Sequence, residues 1–283
     1  MSIKIITDST SYIGMEDQRR LDIRVIPLSV SFPDETFRET EIEYDYFYTK
    51  IEKGGIIPIS SQPPPGEIEQ VFTDLIAEGH EIIAIFLSAE MSGTYQSALR
   101  ARDHLLQTHP EARIEIVDSR TNCMAMGLVV LAAAQAAQAG RSFPEVVQTA
   151  HGVMQRTRFY FVPAGLEYLK KGGRIGGAAA LLGSLLQIKP ILYVNQGKTA
   201  LLERTRGTQA AIRRMVALLD NDRRKYGLEK VLIHHIFCQE KAEELASMIK
   251  TSFGLITDIL PIGPVIGLHV GPGTLGVVYV TEN

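Results

Sequence analysis

Three short apolar segments dominate the first half of the chain, at residues 3–6, 81–87 and 114–117, and each runs into a hydroxyl or a carboxylate. Asp8-Ser9-Thr10 follows the first, Ser88 and Ser92 the second, and Asp118-Ser119 the third. Helix-patterned stretches separate them. Ile68, Val71, Phe72 and Leu75 follow Pro63-Pro64-Pro65 at helical spacing, and Ala-rich helices run on to about Gln155. Strands alternating with helices predict a parallel, doubly wound sheet. Ligands of such sheets bind beyond the carboxyl ends of the strands. That edge is therefore expected to form a hydroxyl-lined rim, with Ser60-Ser61-Gln62 adding to it. Taken singly, each of these residues also reads as a cap or turn residue.

Further elements fill the frame. A second strand is expected at residues 25–32. A helix is expected from Thr40, where Thr40 and Glu43 have capping-box spacing. Its apolar face is Tyr44, Phe47, Tyr48 and Ile51, and Gly54-Gly55 closes it. The second half reads differently: strands cluster at 159–162, 191–195, 200–204, 231–236, 256–260, 265–270 and 276–280, with helices at 208–223 and 239–251. A very apolar helix is expected at 178–186. The fold class is α/β with two domains. Residues 1–157 form a parallel α/β/α sheet domain, and 158–283 a smaller mixed-sheet α/β domain.

The bulk numbers narrow the choice of class. The net charge of −3 gives no electrostatic footprint for nucleic acid or anionic membranes. Cys123 and Cys238 stand in no metal or redox spacing, and two isolated cysteines point to a reducing compartment. Residues 1–7 read as a strand rather than a signal peptide, and 127–140 is too short to span a bilayer. The expectation is a cytoplasmic protein without metal or cofactor.

Familiar catalytic motifs fail. Gly197-Lys198-Thr199 resembles the end of a P-loop, but Leu192 stands where the first glycine belongs. Ser92 is in no nucleophile elbow, because Glu90 and Thr94 occupy the glycine positions. The glycine run from Gly172 to Gly177 lacks dinucleotide spacing. One anion site does stand out. Ser92 can cap a helix beginning at Gly93-Thr94-Tyr95 and still turn its hydroxyl proton outward. The helix N-terminus offers free N–H groups, and Gly93 allows close approach. A carboxylate fits there. Arg174, among glycines, reads either as part of a solvated loop or as an anion ligand. His269 reads by default as a structural residue.

Together these segments resemble the DegV family. The matching pieces are Thr7-Asp8-Ser9-Thr10-Ser11, Ser60-Ser61-Gln62-Pro63, and Ser92-Gly93-Thr94-Tyr95-Gln96-Ser97-Ala98. Then come Leu166-Glu167-Tyr168-Leu169-Lys170-Lys171-Gly172-Gly173-Arg174-Ile175 and Leu182-Gly183-Ser184-Leu185-Leu186. The last are Gly263-Pro264-Val265-Ile266-Gly267 with His269 and Gly271-Pro272-Gly273. They follow family order across nearly the whole chain. The resemblance implies a bacterial lipid carrier with one long-chain fatty acid buried between two domains. By the same resemblance, Ser60, Ser92 with Gly93, Arg206 and His269 meet the carboxylate, and Arg174 meets a phosphate or the kinase. The partner implied is a separate ATP-dependent fatty-acid kinase, with transient membrane contact as a further implication. Two departures stand out: Ser60 replaces the usual Thr, and Val270 follows His269 where Thr is common.

A lipid carrier is physically reasonable. Each buried methylene contributes about 0.8 kcal/mol, so about fifteen contribute on the order of 12 kcal/mol before ordering costs. Candidate lining residues are Ala179, Leu182, Leu185, Leu186, Phe47 and Phe86, all of which also read as ordinary core. Two rivals remain. One is a Ser/His-dependent acyl or phosphoryl transfer enzyme using Ser92 and His269. The other is a regulatory interaction module with a purely structural lipid.

Overall fold

In the computed structural model, which describes residues 2–181 and 188–283, the first apolar segment becomes β1 (Ile3–Asp8). After α1 (Met15–Arg20) come β2 (Arg24–Ile26), β3 (Ser29–Ser31) and β4 (Thr36–Arg38). The single strand expected at 25–32 is thus broken in two. Pro27 has no N–H for a ladder, so β2 stays beside β1 while β3 leaves to pair with β4.

Helix α2 (Tyr44–Gly54) starts later than the Thr40 capping box predicts, with Glu43 as N-cap and no side-chain cap bond. The backbone is committed otherwise at Thr40. Ser9 and Tyr12 both donate to the Glu39 carboxylate, and the Glu41 N–H closes a turn on the Arg38 carbonyl. The helix ends as expected, at Gly55 with φ of 62°. Phe47, Tyr48 and Ile51 form its buried face.

The chain continues through β5 (Ile59–Ser61), α3 (Pro65–Ala77), β6 (Glu81–Phe86), α4 (Thr94–Thr108) and β7 (Ile114–Asp118). Then follow α5 (Cys123–Gln138), α6 (Phe143–Arg156), β8 (Thr157–Val162) and α7 (Glu167–Lys171). A 3-10 turn at Gly176–Leu181 precedes β9 (Ile188–Asn195), β10 (Lys198–Arg206) and α8 (Thr208–Tyr226). The last elements are β11 (Lys230–His235), α9 (Gln239–Phe253), β12 (Asp258–Pro261), α10 (Pro264–Val270) and β13 (Leu275–Val280).

These elements fall into two units, Met1–Glu41 with Ser60–Gln155, and Ile42–Ile59 with Arg156–Asn283. The first holds the parallel sheet, in order β2-β1-β6-β7, and a small sheet of order β4-β3-β5. One sheet face packs on α3 and α4 through Ile6, Ile82, Phe86, Ile68, Phe72 and Ala98. Helix α5 packs against β1 and β6. It comes so close that a Cβ at Gly127 would lie 2.6 Å from the Ser11 carbonyl oxygen.

The second unit holds a mixed sheet of order β10-β9-β8-β13-β11-β12, in which β11 and β12 are the parallel pair. It has six strands among the described residues, against four in the parallel sheet. Helices α8 and α9 cover it through Ile212, Met215, Leu219, Leu245 and Ile249, packed on Ile233 and Val277. Burying each such side chain contributes roughly 1.5–3 kcal/mol. Helix α2 joins this unit through Tyr48, whose hydroxyl donates to the Ile262 and Gly263 carbonyls at 2.8 and 3.1 Å.

Two further expectations are corrected. Residues 265–270, expected as a strand, form α10, with Pro264 in its first turn and Gly263 extended before it. Val265-Ile266-Gly267-Leu268-His269-Val270 is too short for its apolar residues to show a period that separates the two readings. Of the helix expected at 178–186, the described part is the 3-10 turn, and Leu182, Leu185 and Leu186 lie outside the described residues. Ala179 is exposed, while Phe86 belongs to the core of the first unit. Phe47 is buried edge-on to Tyr48 at 5.1 Å.

Candidate functional site

In the first unit the site is built where β5 and β6 lead into helices. Ser60 lies half-buried in β5. Ser92 lies half-buried just before α4, but it is not the N-cap; Gly93 is, with φ of −76° and no side-chain cap bond of its own. Ser92 nonetheless accepts the Thr94 N–H at 3.3 Å and stands 3.0 Å from the Thr94 hydroxyl. A hydroxyl so placed is oriented by the helix end and lies within reach of its field.

Gly93 has a use the sequence did not show. A Cβ there would strike the Gln62 amide oxygen. That amide is held in place, because Gln62 Nε2 donates to Ser97 Oγ at 2.9 Å and Arg100 donates to the same oxygen at 3.0 Å. The close approach at Gly93 is made by the protein's own Ser60-Ser61-Gln62 segment. The only early signal of it was the nearness of Gln62 to two serines.

The rest of the expected rim turns inward. Asp8 is fully buried and accepts from Thr10 N at 2.9 Å, Thr10 Oγ1 at 2.5 Å and Leu87 N at 2.8 Å. Burial raises its carboxyl to about 6, against the hydrogen bonds that lower it. Asp118 accepts the Ala89 and Arg120 N–H groups. Ser88 and Ser119 accept from the backbone two residues on. These are turn residues, as the simpler reading had it.

In the second unit, α7 and α10 meet over two glycines. A Cβ on Gly172 would run into His269 Nδ1, and one on Gly271, at φ of 90°, would lie 2.5 Å from the Tyr168 ring. The imidazole thus lies on the glycine loop that carries Arg174. The loop is closed by Arg174 N on the Leu169 carbonyl at 3.0 Å and Arg174 Nη1 on the Gly172 carbonyl at 2.7 Å. Burial first, then the Arg174 charge, lowers His269 from 6.5 to about 4. The ring is therefore neutral at pH 7, beside an exposed guanidinium. That pairing suits an anion: Arg174 supplies charge and the imidazole a neutral donor. Val270 is buried. Arg206 is exposed at the end of β10, on a different element from this pair.

The structure therefore brings Ser92, Gly93 and the Ser60–Gln62 segment together in one unit, and Arg174 with His269 in the other. Among the described residues no group of three His, Cys, Asp or Glu side chains could hold a metal ion, and no helix is long and apolar enough to cross a membrane. Neither cysteine is in a disulfide.

Comparison with known proteins finds likeness over the full length of the chain. A DegV domain-containing protein of Clostridium acetobutylicum is 45% identical over 283 residues, covering 100% of this chain and 99% of that protein. The structure of a fatty-acid-binding DegV family protein from Thermus thermophilus matches at a TM-score of 0.89 and 29% identity, covering 99% of this chain and 100% of that one. A stearic acid-binding protein from Eubacterium ventriosum matches at 0.89 and 25% identity, covering 99% and 98%. Residues 2–282 match the family described as uncharacterised proteins of the DegV type. With the α/β fold shared over the full length, this chain belongs to the DegV family.

Proposed function

We propose that this protein binds one long-chain fatty acid between its two units and presents the carboxylate to a separate ATP-dependent fatty-acid kinase. The observation that carries the reading is full-length likeness to proteins described as binding fatty acids, one of them stearic acid. In this reading Ser60, Ser92 with Gly93, His269 and Arg206 hold the carboxylate, and Arg174 meets the phosphate or the kinase. No cofactor takes part. The carrier works in the cytoplasm and touches the membrane only while loading. The His269 imidazole, lowered to about 4, is a feeble base at neutral pH, which weighs against transfer chemistry by Ser92 and His269.

Two variants test the head-group assignment. Ser92→Ala removes one hydrogen bond to a charged group, and the expected loss is roughly 1.5–3 kcal/mol of fatty-acid affinity. Titration of delipidated protein with stearate measures it; unchanged affinity in a folded variant removes Ser92 from the site. Arg174→Ala is expected to leave stearate affinity within about twofold while lowering turnover by the kinase at least about tenfold. Equal turnover at saturating carrier overturns the role given to Arg174.

A further inference from the structure

The second unit has a crevice that shares no residue with the site above. Its volume is about 570 Å³, within the range of small-ligand pockets. It opens at the carboxyl ends of the parallel pair, between His235 at the end of β11 and Pro261 at the end of β12, where open α/β sheets bind ligands.

Its walls are aromatic. Tyr44 from the start of α2 and Phe237 from the loop before α9 both line it. Phe237 is 41% exposed and has φ of 50°, a left-handed conformation unusual for a bulky residue. It is held there by stacking on the buried Tyr48 ring, with centroids 5.8 Å apart and planes at 29°. Residues held in such sparsely populated backbone conformations cluster at ligand-binding and switch positions.

Charge decides what fits. Asp45 and Glu240 are two carboxylates against one ammonium, Lys241. The other ionisable liners add nothing: burial lowers His235, keeping it neutral, and raises the Cys238 thiol. The crevice is thus net negative with aromatic walls. A flat cation that stacks on rings and pairs with carboxylates answers both features, and the guanidinium does so better than a strongly hydrated ammonium.

We propose that this crevice is a second binding site, one that takes a guanidinium group between Tyr44 and Phe237 with Asp45 and Glu240 as its counter-charges. The group can belong to a free small molecule or to an arginine side chain on a partner protein. The site does not depend on the fatty-acid reading.

Ligand-observed NMR titration of the full chain tests it with three probes: agmatine, the peptide Gly-Arg-Gly, and Gly-citrulline-Gly as neutral isostere. Saturable binding of a guanidinium probe is expected, at least about tenfold tighter than the citrulline peptide. Tighter binding of the arginine peptide points to a partner side chain, and tighter binding of agmatine to a free molecule. Phe237→Asn removes the ring while tolerating the left-handed backbone. It should weaken binding about tenfold, while Phe237→Tyr retains it. Lys241→Ala removes the opposing charge and should strengthen binding. Fatty-acid content, measured in parallel, should not change in any variant. Absence of saturable binding, equal binding of citrulline, or wild-type affinity in folded Phe237→Asn overturns the proposal, whatever the fatty-acid content.

Discussion

A fatty acid shortened by about four methylenes is expected to bind roughly 200-fold more weakly than its parent. Each methylene taken from water contributes about 0.8 kcal/mol, so four contribute about 3 kcal/mol, and each 1.4 kcal/mol is a factor of ten. The head group is the same in both acids, so Ser60, Ser92 and His269 cancel from the comparison. Titrations of delipidated protein with stearate and myristate measure the ratio. A ratio near one would mean that the tail stays in water and that the head group alone is recognised, contrary to a carrier that buries its cargo. The proposal therefore predicts affinity set by the tail and orientation set by the hydroxyls.

Replacing Asp8 by alanine should strongly destabilise the first unit. Asp8 accepts the N–H groups of Thr10 and Leu87 as well as the Thr10 hydroxyl, all in the interior. Alanine leaves two buried backbone donors unmet, each costing roughly 1–3 kcal/mol. The expected loss is roughly 2–6 kcal/mol, read from urea unfolding at mildly acidic pH. The pH dependence has a definite sign. Burial raises the folded-state carboxyl from 3.8 to about 6, so the folded chain holds this proton more tightly than the unfolded chain does. The contribution of this group is fully present below about pH 4 and declines as pH rises to about 6, by about 3 kcal/mol. The stability gap between wild type and Asp8→Ala should narrow over that window. A gap that widens with pH would show that the Asp8 carboxylate is stabilised as an anion, against the burial seen here.

Much of the frame was legible because local chemistry and fold agree. The segments that became β1, β6 and β7 are short apolar runs stopped by Asp or Ser, and a chain with that pattern has little choice. Pro65 at the start of α3 and Gly55 at the end of α2 acted where capping rules place them. Two departures share a cause: the deciding contact lies far away in sequence. The transfer of residues 42–59 to the second unit depends on Tyr48 reaching Ile262 and Gly263, more than two hundred residues on. Thr40 lost its helix to the bonds that Ser9 and Tyr12 make with Glu39, some thirty residues back. Residues 265–270 were too short a run to show a period.

The site was legible in a different way. Ser92 could be read from the helix-start rule, although the cap position itself falls on Gly93. Arg174 and His269 came from family resemblance, since nothing in their spacing brings a glycine loop onto an imidazole ninety-five residues away. What joins them is the missing side chain of Gly172. The packing of Gln62 on Gly93 was equally hidden, because a glycine's neighbour cannot be read from its own segment.

Mass spectrometry of the purified protein, first native and then after denaturation and lipid extraction, decides whether it carries a long-chain fatty acid. A carrier should show a native mass above the chain mass by one long-chain acid, and release that acid in a ratio of about one per chain. A native mass equal to the bare chain, with no uptake of added stearate, would contradict the carrier reading.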